Sequence, residues 1–235
     1  MREPRCLSLA EVGLVDISKL AQDGVRIRAS AGAASFRREQ TLDHHLETAQ
    51  TIVAELKREV EARSDASNQR IKAAKERAAR ERTERLKAAQ AALAEIKRQR
   101  QAREDKRNNG KTPKEPRAST TDPDARVMKM ADGGFRPGYN VQVASAAGEQ
   151  IVAGLDVTNI GSDRGLMQPM LDRLRARTGR LPGRHLVDGG FGSAEDIEWA
   201  HDQGVEVYCP PTQSKHGTDP YLPRRGDGPG VLAWR

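Results

Sequence analysis

Cysteine is scarce. The 235-residue chain has two, Cys6 and Cys209, far apart and without a C-x-x-C companion. That spacing gives neither a disulfide framework nor a zinc site, and it fits a reducing cytosol. Long apolar runs are also missing: nothing approaches the length needed to span a bilayer, and Met1 to Ala10, with Arg2, Glu3, Pro4 and Arg5, lacks the apolar centre of a signal peptide. A soluble, cytoplasmic protein without a membrane partner is expected. Apolar residues make up 36% of the chain against 31% charged, so part of it is expected to have no core of its own. The five histidines show no metal-ligand spacing, and the adjacent His44 and His45 point in different directions on a helix.

Positive charge is in surplus. A net charge of +7 and a pI near 9.6 favour polyanionic partners, nucleic acid first. Much of the charge lies between residues 37 and 108. There Leu42, Leu46, Ala49, Val53, Leu56 and Val60 recur at spacings of four and three, a heptad seam. After Ser64 to Asn68 the apolar set resumes out of phase at Ile71, Ala74, Ala78, Leu86, Leu93 and Ile96, which predicts a helical hairpin or one long helix with a stutter. The arginines and lysines of the second half, Arg77, Arg80, Arg85 and Lys87 among them, form either a solvated helix face or a face that tracks phosphates without aromatic stacking partners. Asn108 to Pro116 reads as a tether. Its Gly110-Lys111-Thr112 is not a phosphate loop, because position 105 is Asp105 rather than glycine and no strand precedes it.

Two short segments place an acid before glycine. Arg184 to Phe191 is an apolar run ending in Asp188-Gly189-Gly190: either a buried strand that delivers an acid at its tip or an ordinary Asp-Gly turn. Asp23-Gly24 stands at the head of Val25, Ile27 and Ala29, which alternate with Arg26 and Arg28. This is the period of a strand with one wet, basic face, or else Asp23-Gly24 is a hairpin turn. Tyr139 to Ala144 and Gln150 to Val157 read as hairpin strands joined by Ala146 to Glu149. A helix with Leu166, Met170, Leu171 and Leu174 on one face is closed by Gly179. A second helix follows from Ser193 to Gln203, then a strand from Val205 to Cys209. The order β, helical block, β, β, α, β, α, β predicts an α/β fold, a mixed sheet flanked by helices. Asp122-Pro123 reads as a turn opener and Asp156 as a strand-end turn residue.

Four segments in this order, Gln22 to Ser30, Ser119 to Arg126, Gly138 to Gln142 and Leu186 to Phe191, resemble the bacterial DDE-type insertion-sequence transposases, from roughly Leu14 to the C-terminus. The resemblance implies a ribonuclease-H-like catalytic domain whose first and fourth strands lie side by side, so that Asp23 and Asp188 become neighbours. They would be two acids of the catalytic triad, binding Mg2+ or Mn2+ for nicking and joining DNA. Asp124 would be a supporting group behind them, and Arg26, Arg28, Arg126, Lys129 and Arg136 would contact DNA phosphates. The expected organisation is an N-terminal segment with the first catalytic strand (1–36), a helical insertion (37–108), a linker (109–118), the rest of the catalytic core (119–210) and a C-terminal loop (211–235). In this family the third acid is a glutamate on a later helix in a Tyr, Arg, Glu context. Glu195 and Glu198 lie too early to be it, so it is expected beyond Arg235, in a chain truncated at both ends and weak or inactive in strand transfer. Partners would be insertion-sequence ends and target DNA near the nucleoid, with a homodimer as a further expectation. The alternatives are a non-catalytic DNA-binding remnant and a protein that self-associates through its heptads.

Overall fold

In chain order the elements are β1 (Lys19–Arg28), β2 (Phe36–Arg37), α1 (Glu39–Ala62), α2 (Ala66–Asp105), β3 (Ala118–Ser119), β4 (Arg126–Lys129), β5 (Phe135–Ala146), β6 (Val152–Thr158), α3 (Met167–Thr178), β7 (Arg184–Leu186), α4 (Ala194–Asp202), β8 (Glu206–Tyr208) and α5 (Pro229–Trp234). They come from a computed structural model that describes residues 15–62, 66–105, 115–211 and 219–235. The chain forms two compact units, one from residues 1–27 and 139–235, the other from 28–138. Residues 1–14 with Cys6, the helix corner at 63–65 and the Gly110-Lys111-Thr112 segment lie outside the described residues.

The first unit is built on a mixed sheet. β7 lies between β1 and β8 and is parallel to both, with Ala21 opposite Leu186 and Leu186 opposite Tyr208. β1 neighbours β5, and the bond from Ala147 N to Lys19 O (3.0 Å) joins the start of β1 to the end of β5, as an antiparallel pair requires. β6 pairs antiparallel with β5, Val157 opposite Val141 and Leu155 opposite Val143. One face of this sheet carries the core: Leu20, Ala144, Ala146 and Val187 pack with Met167, Met170, Leu171 and Leu174 of α3 and with Ile197 and Ala200 of α4. α3 forms because four apolar side chains recur on one face, and it stops at Gly179, whose φ of 72° is the left-handed conformation that ends helices. Ser193 occupies the N-cap of α4, but its side chain makes no capping bond.

The opposite face of this sheet differs from the sequence expectation. β1 alternates as predicted, yet its apolar positions are the outward ones: Val25 and Ile27 are 52% and 51% exposed, while Arg26 turns toward the helices. Leu155 and Val157 of β6 are exposed on the same terms. The reason lies on the inward side, where polar residues occupy β1 and β5 and hold one another. A further difference is at the C-terminus, where the segment read as a loop contains α5.

The second unit rests on α1 and α2, which pack antiparallel. Lys97 pairs with Glu39 at 2.6 Å near one end, and Gln90 donates to Asp43 one turn along. Leu42 and Ala49 close against Leu86, Ala89, Leu93 and Ile96, with Leu46 partly buried beside them. The heptad seam is thus filled from within the chain by the later half of α2, whereas Ile71 in its earlier half is 58% exposed. β2 and β3 form a small antiparallel pair, and β4 pairs antiparallel with the first residues of β5. Among the described residues no helix is long and apolar enough to cross a membrane.

Candidate active site

Asp23 and Asp188 are brought together by the parallel pairing of β1 and β7. The paired register ends at Ala21 opposite Leu186; Asp23 stands two residues further along β1, and Asp188 two residues past the end of β7. The period of two therefore puts both on the sheet face away from the helices, and both are exposed. Each makes a local turn bond: Asp23 Oδ1 accepts from Gly24 N at 2.7 Å, and Asp188 Oδ1 accepts from Gly190 N at 2.8 Å. Phe191 N also returns to the Asp188 carbonyl at 3.2 Å. Asp188 thus stands at the head of a turn, two residues after β7 ends. The second oxygen, Oδ2, of either acid has no hydrogen-bond partner among the described residues.

Behind Asp23, on the helix side, lies a buried polar network. Gln22 Nε2 donates to Gln142 Oε1 (2.8 Å) and to the Leu166 carbonyl (3.1 Å). Gln142 Nε2 and Asn140 Nδ2 donate to Asp163 Oδ1 at 2.9 and 2.8 Å, and Arg26 Nη2 donates to Asp163 Oδ2 at 2.6 Å. His185 Nε2 lies 3.1 Å from Gln22 Oε1. Gln22, Asn140, Gln142, Asp163 and His185 are each at most 8% exposed. Burying so many amides costs stability unless each is paired, and here nearly every one is. Burial lowers the His185 pKa to about 4, so the ring is neutral. Gly24 is in the middle of β1 rather than in a turn. Glycine is required there because a Cβ would lie 2.3 Å from Asp163 Oδ1 and 2.4 Å from Gln142 Nε2.

Sequence reasoning missed this network. Its signal was present as Asn140 and Gln142, two amides at alternate positions of a strand whose next inward residues are Ala144 and Ala146. On the far side of the acid pair, Cys209 is buried and its Sγ donates to the Asp188 carbonyl at 3.3 Å. Burial first, then the Asp188 charge, pushes the thiol up to about 11.

The other expected site residues are dispersed. Asp124 is exposed in the turn before β4, in the second unit, whereas Asp23 and Asp188 belong to the first. Arg26 is committed to Asp163. Arg136 grips both oxygens of Asp132, which Arg28 also approaches at 3.7 Å. Arg126 donates to the carbonyls of Pro123 and Ala125. Lys129 is exposed on β4 and makes no ion pair among the described residues. Asp156 lies within β6, paired with Arg173 of α3 at 2.8 Å. Glu198 is spent on α5, accepting from the backbone N–H groups of Gly230 and Val231.

Carboxylate oxygens free on one side suit a divalent, oxygen-seeking cation, so the donor chemistry of Asp23 and Asp188 fits Mg2+ or Mn2+. They supply two acids: among the described residues no three His, Cys, Asp or Glu side chains are grouped to hold a metal. A family model described as "Transposase DDE domain" matches residues 110–228, a stretch that includes Asp188 and leaves Asp23 outside. No curated protein and no solved structure matches the chain.

Proposed function

Because the chain belongs to the transposase DDE domain family, we propose that it acts on DNA, with Asp23 and Asp188 as the acids that hold Mg2+ or Mn2+ beside a phosphodiester. The observation that supports this reading is the parallel pairing of β1 with β7, since Asp23 and Asp188 each follow two residues after the last paired positions and both are exposed. A sheet with β1 antiparallel to β5 and parallel to β7 supports a ribonuclease-H-like catalytic domain. Held by these acids, the ion would supply Lewis-acid stabilisation of charge on the phosphodiester oxygens. The protein's own part is to fix the acids. The Gly24 and Gly190 N–H groups orient one oxygen of each, and the amide network pins β1 against β5 so that Asp23 does not shift relative to Asp188.

Two carboxylates give a looser hold than three, so we expect weak nicking and little joining from this chain. Among the candidate phosphate contacts, Arg26, Arg28 and Arg136 already serve carboxylates, while Lys129 is exposed and makes no ion pair among the described residues. The test is conversion of supercoiled plasmid to the open circle with Mg2+ or Mn2+ present. Nicking that vanishes with chelator and in Asp23→Asn and Asp188→Asn supports the reading. Nicking that survives both substitutions removes the acid pair from the chemistry, and metal-independent DNA binding without nicking would leave a DNA-binding chain.

A further inference from the structure

The second unit contains a cavity of about 420 Å³ whose polar lining is all neutral or basic: Arg37 of β2, His45 of α1, Arg82 and Arg85 of α2, and Thr120 and Thr121 after β3. Leu86, 3% exposed, closes it on the core side. No lining residue is acidic. Four other cations of α2 are matched, Arg80 with Glu76, Lys87 with Glu84, Lys97 with Glu39 and Arg98 with Glu95. Arg37, Arg82 and Arg85 make no ion pair among the described residues, and Glu84, next to Arg85 in sequence, is taken by Lys87.

We propose that this cavity binds a phosphoryl group. Arg37, Arg82 and Arg85 are exposed around one concavity with no acid in its lining, so their summed positive field favours an anion entering among them. Guanidinium forks match the oxygens of a phosphate, which takes further hydrogen bonds from hydroxyls such as those of Thr120 and Thr121. The position is over-determined by packing. Arg82 and Arg85 flank Thr83 and Leu86, whose buried side chains fix the face that α2 turns to α1, while the β2–β3 pair holds Arg37 opposite Ala118 and the Thr120 N–H bonds the Ser35 carbonyl just before β2. The phosphate could belong to the DNA backbone or to a small phosphate ligand. The first source rests on the transposase reading above; the second does not.

The experiment measures two probes in chelator with the full chain: inorganic phosphate by calorimetry, and a short DNA duplex across a salt series. With Arg82→Gln plus Arg85→Gln, phosphate binding should weaken at least ~10-fold, and the slope of log affinity against log salt should fall by about 1 to 2 if the source is DNA. Loss with phosphate alone supports a small-ligand site, and loss with both supports a DNA backbone contact. Unchanged binding of both probes overturns the proposal. Arg37→Gln, on a different element, repeats the test should the double variant unfold, and Arg82→Lys plus Arg85→Lys should recover part of the affinity. Because no metal is present, failure of plasmid nicking bears on Asp23 and Asp188 and leaves this result untouched.

Discussion

Gln22 ties the first strand to the seventh: its Oε1 lies 3.1 Å from His185 Nε2, with both side chains buried. Gln22 Nε2 is already spent on Gln142 and Leu166, so in the tautomer assigned by this network it is His185 Nε2–H that donates. That leaves Nδ1 as an acceptor, and it has no partner among the described residues. Adding a proton to the ring would bury a charge with no carboxylate against it.

A pH dependence follows. The folded pKa of about 4 lies below the ordinary value of 6.5, so the unfolded chain takes the proton first as pH falls. The stability owed to the neutral ring is complete above pH 6.5 and is lost progressively toward 4, by roughly 3 kcal/mol in all. His185→Gln removes the titration. Urea unfolding of both proteins between neutral and mildly acidic pH should show wild type losing its advantage as pH falls. A difference that stays constant would mean the ring is not held neutral.

Gly24→Ala should destabilise the first unit by about 2–4 kcal/mol, since the new methyl would displace a tied set of amides rather than the end of a loose side chain. The colliding atoms, Asp163 Oδ1, Gln142 Nε2 and Asn140 Oδ1, already bond one another. Gly32→Ala is the control, because nothing lies within 4 Å of a Cβ there. Thermal unfolding of the two variants should separate them clearly. Equal midpoints would show that the network yields without cost.

These residues show what the sequence made legible. Strand alternation and helix periodicity placed β1, β5, β6, α3 and α4 within a few residues, because each depends on local pattern. The β1–β7 pairing was readable only through resemblance, since a parallel pairing between distant segments leaves no local trace. The inward face of β1 was misread: Val25 and Ile27 are the more apolar set, and propensity favours burying them. What outweighs it is a satisfied polar network centred on Asp163, a loop residue whose partners come from two strands. The antiparallel closure of α1 and α2 was one of two arrangements that the phase break allowed, and the Asp43–Gln90 and Glu39–Lys97 contacts select it.

Asp163 is the acceptor on which that network converges. In Asp163→Asn one oxygen becomes an NH2 that must face either the Arg26 guanidinium or the amides of Asn140 and Gln142, all of them donors. We expect a loss of about 2–4 kcal/mol by urea unfolding. Arg26 retains a quarter of its side-chain exposure, so part of its charge stays solvated and the pair alone does not account for the loss. Adding Arg26→Met should recover about 1 kcal/mol of it, and strict additivity of the two substitutions would show that the ion pair is not coupled to the amides.

Glu198→Ala tests what holds α5 in place. The Glu198 carboxylate accepts from Gly230 N at 3.1 Å and Val231 N at 3.0 Å, satisfying two donors that a six-residue helix cannot use itself. At the other end of α5, Trp234 Nε1 donates to the Cys209 carbonyl at 2.7 Å, so the helix is fastened beside the one described cysteine. Removing the carboxylate should cost about 1–2 kcal/mol. It should also loosen the cover over Cys209, whose thiol, pushed up to about 11, is otherwise un-ionised and slow to react at neutral pH. In a Cys6→Ser background, iodoacetamide labelling of Cys209 should therefore be slow in the parent and faster with Glu198→Ala, well before global unfolding. Equal labelling rates would mean that Trp234 and the apolar contacts hold α5 without the cap.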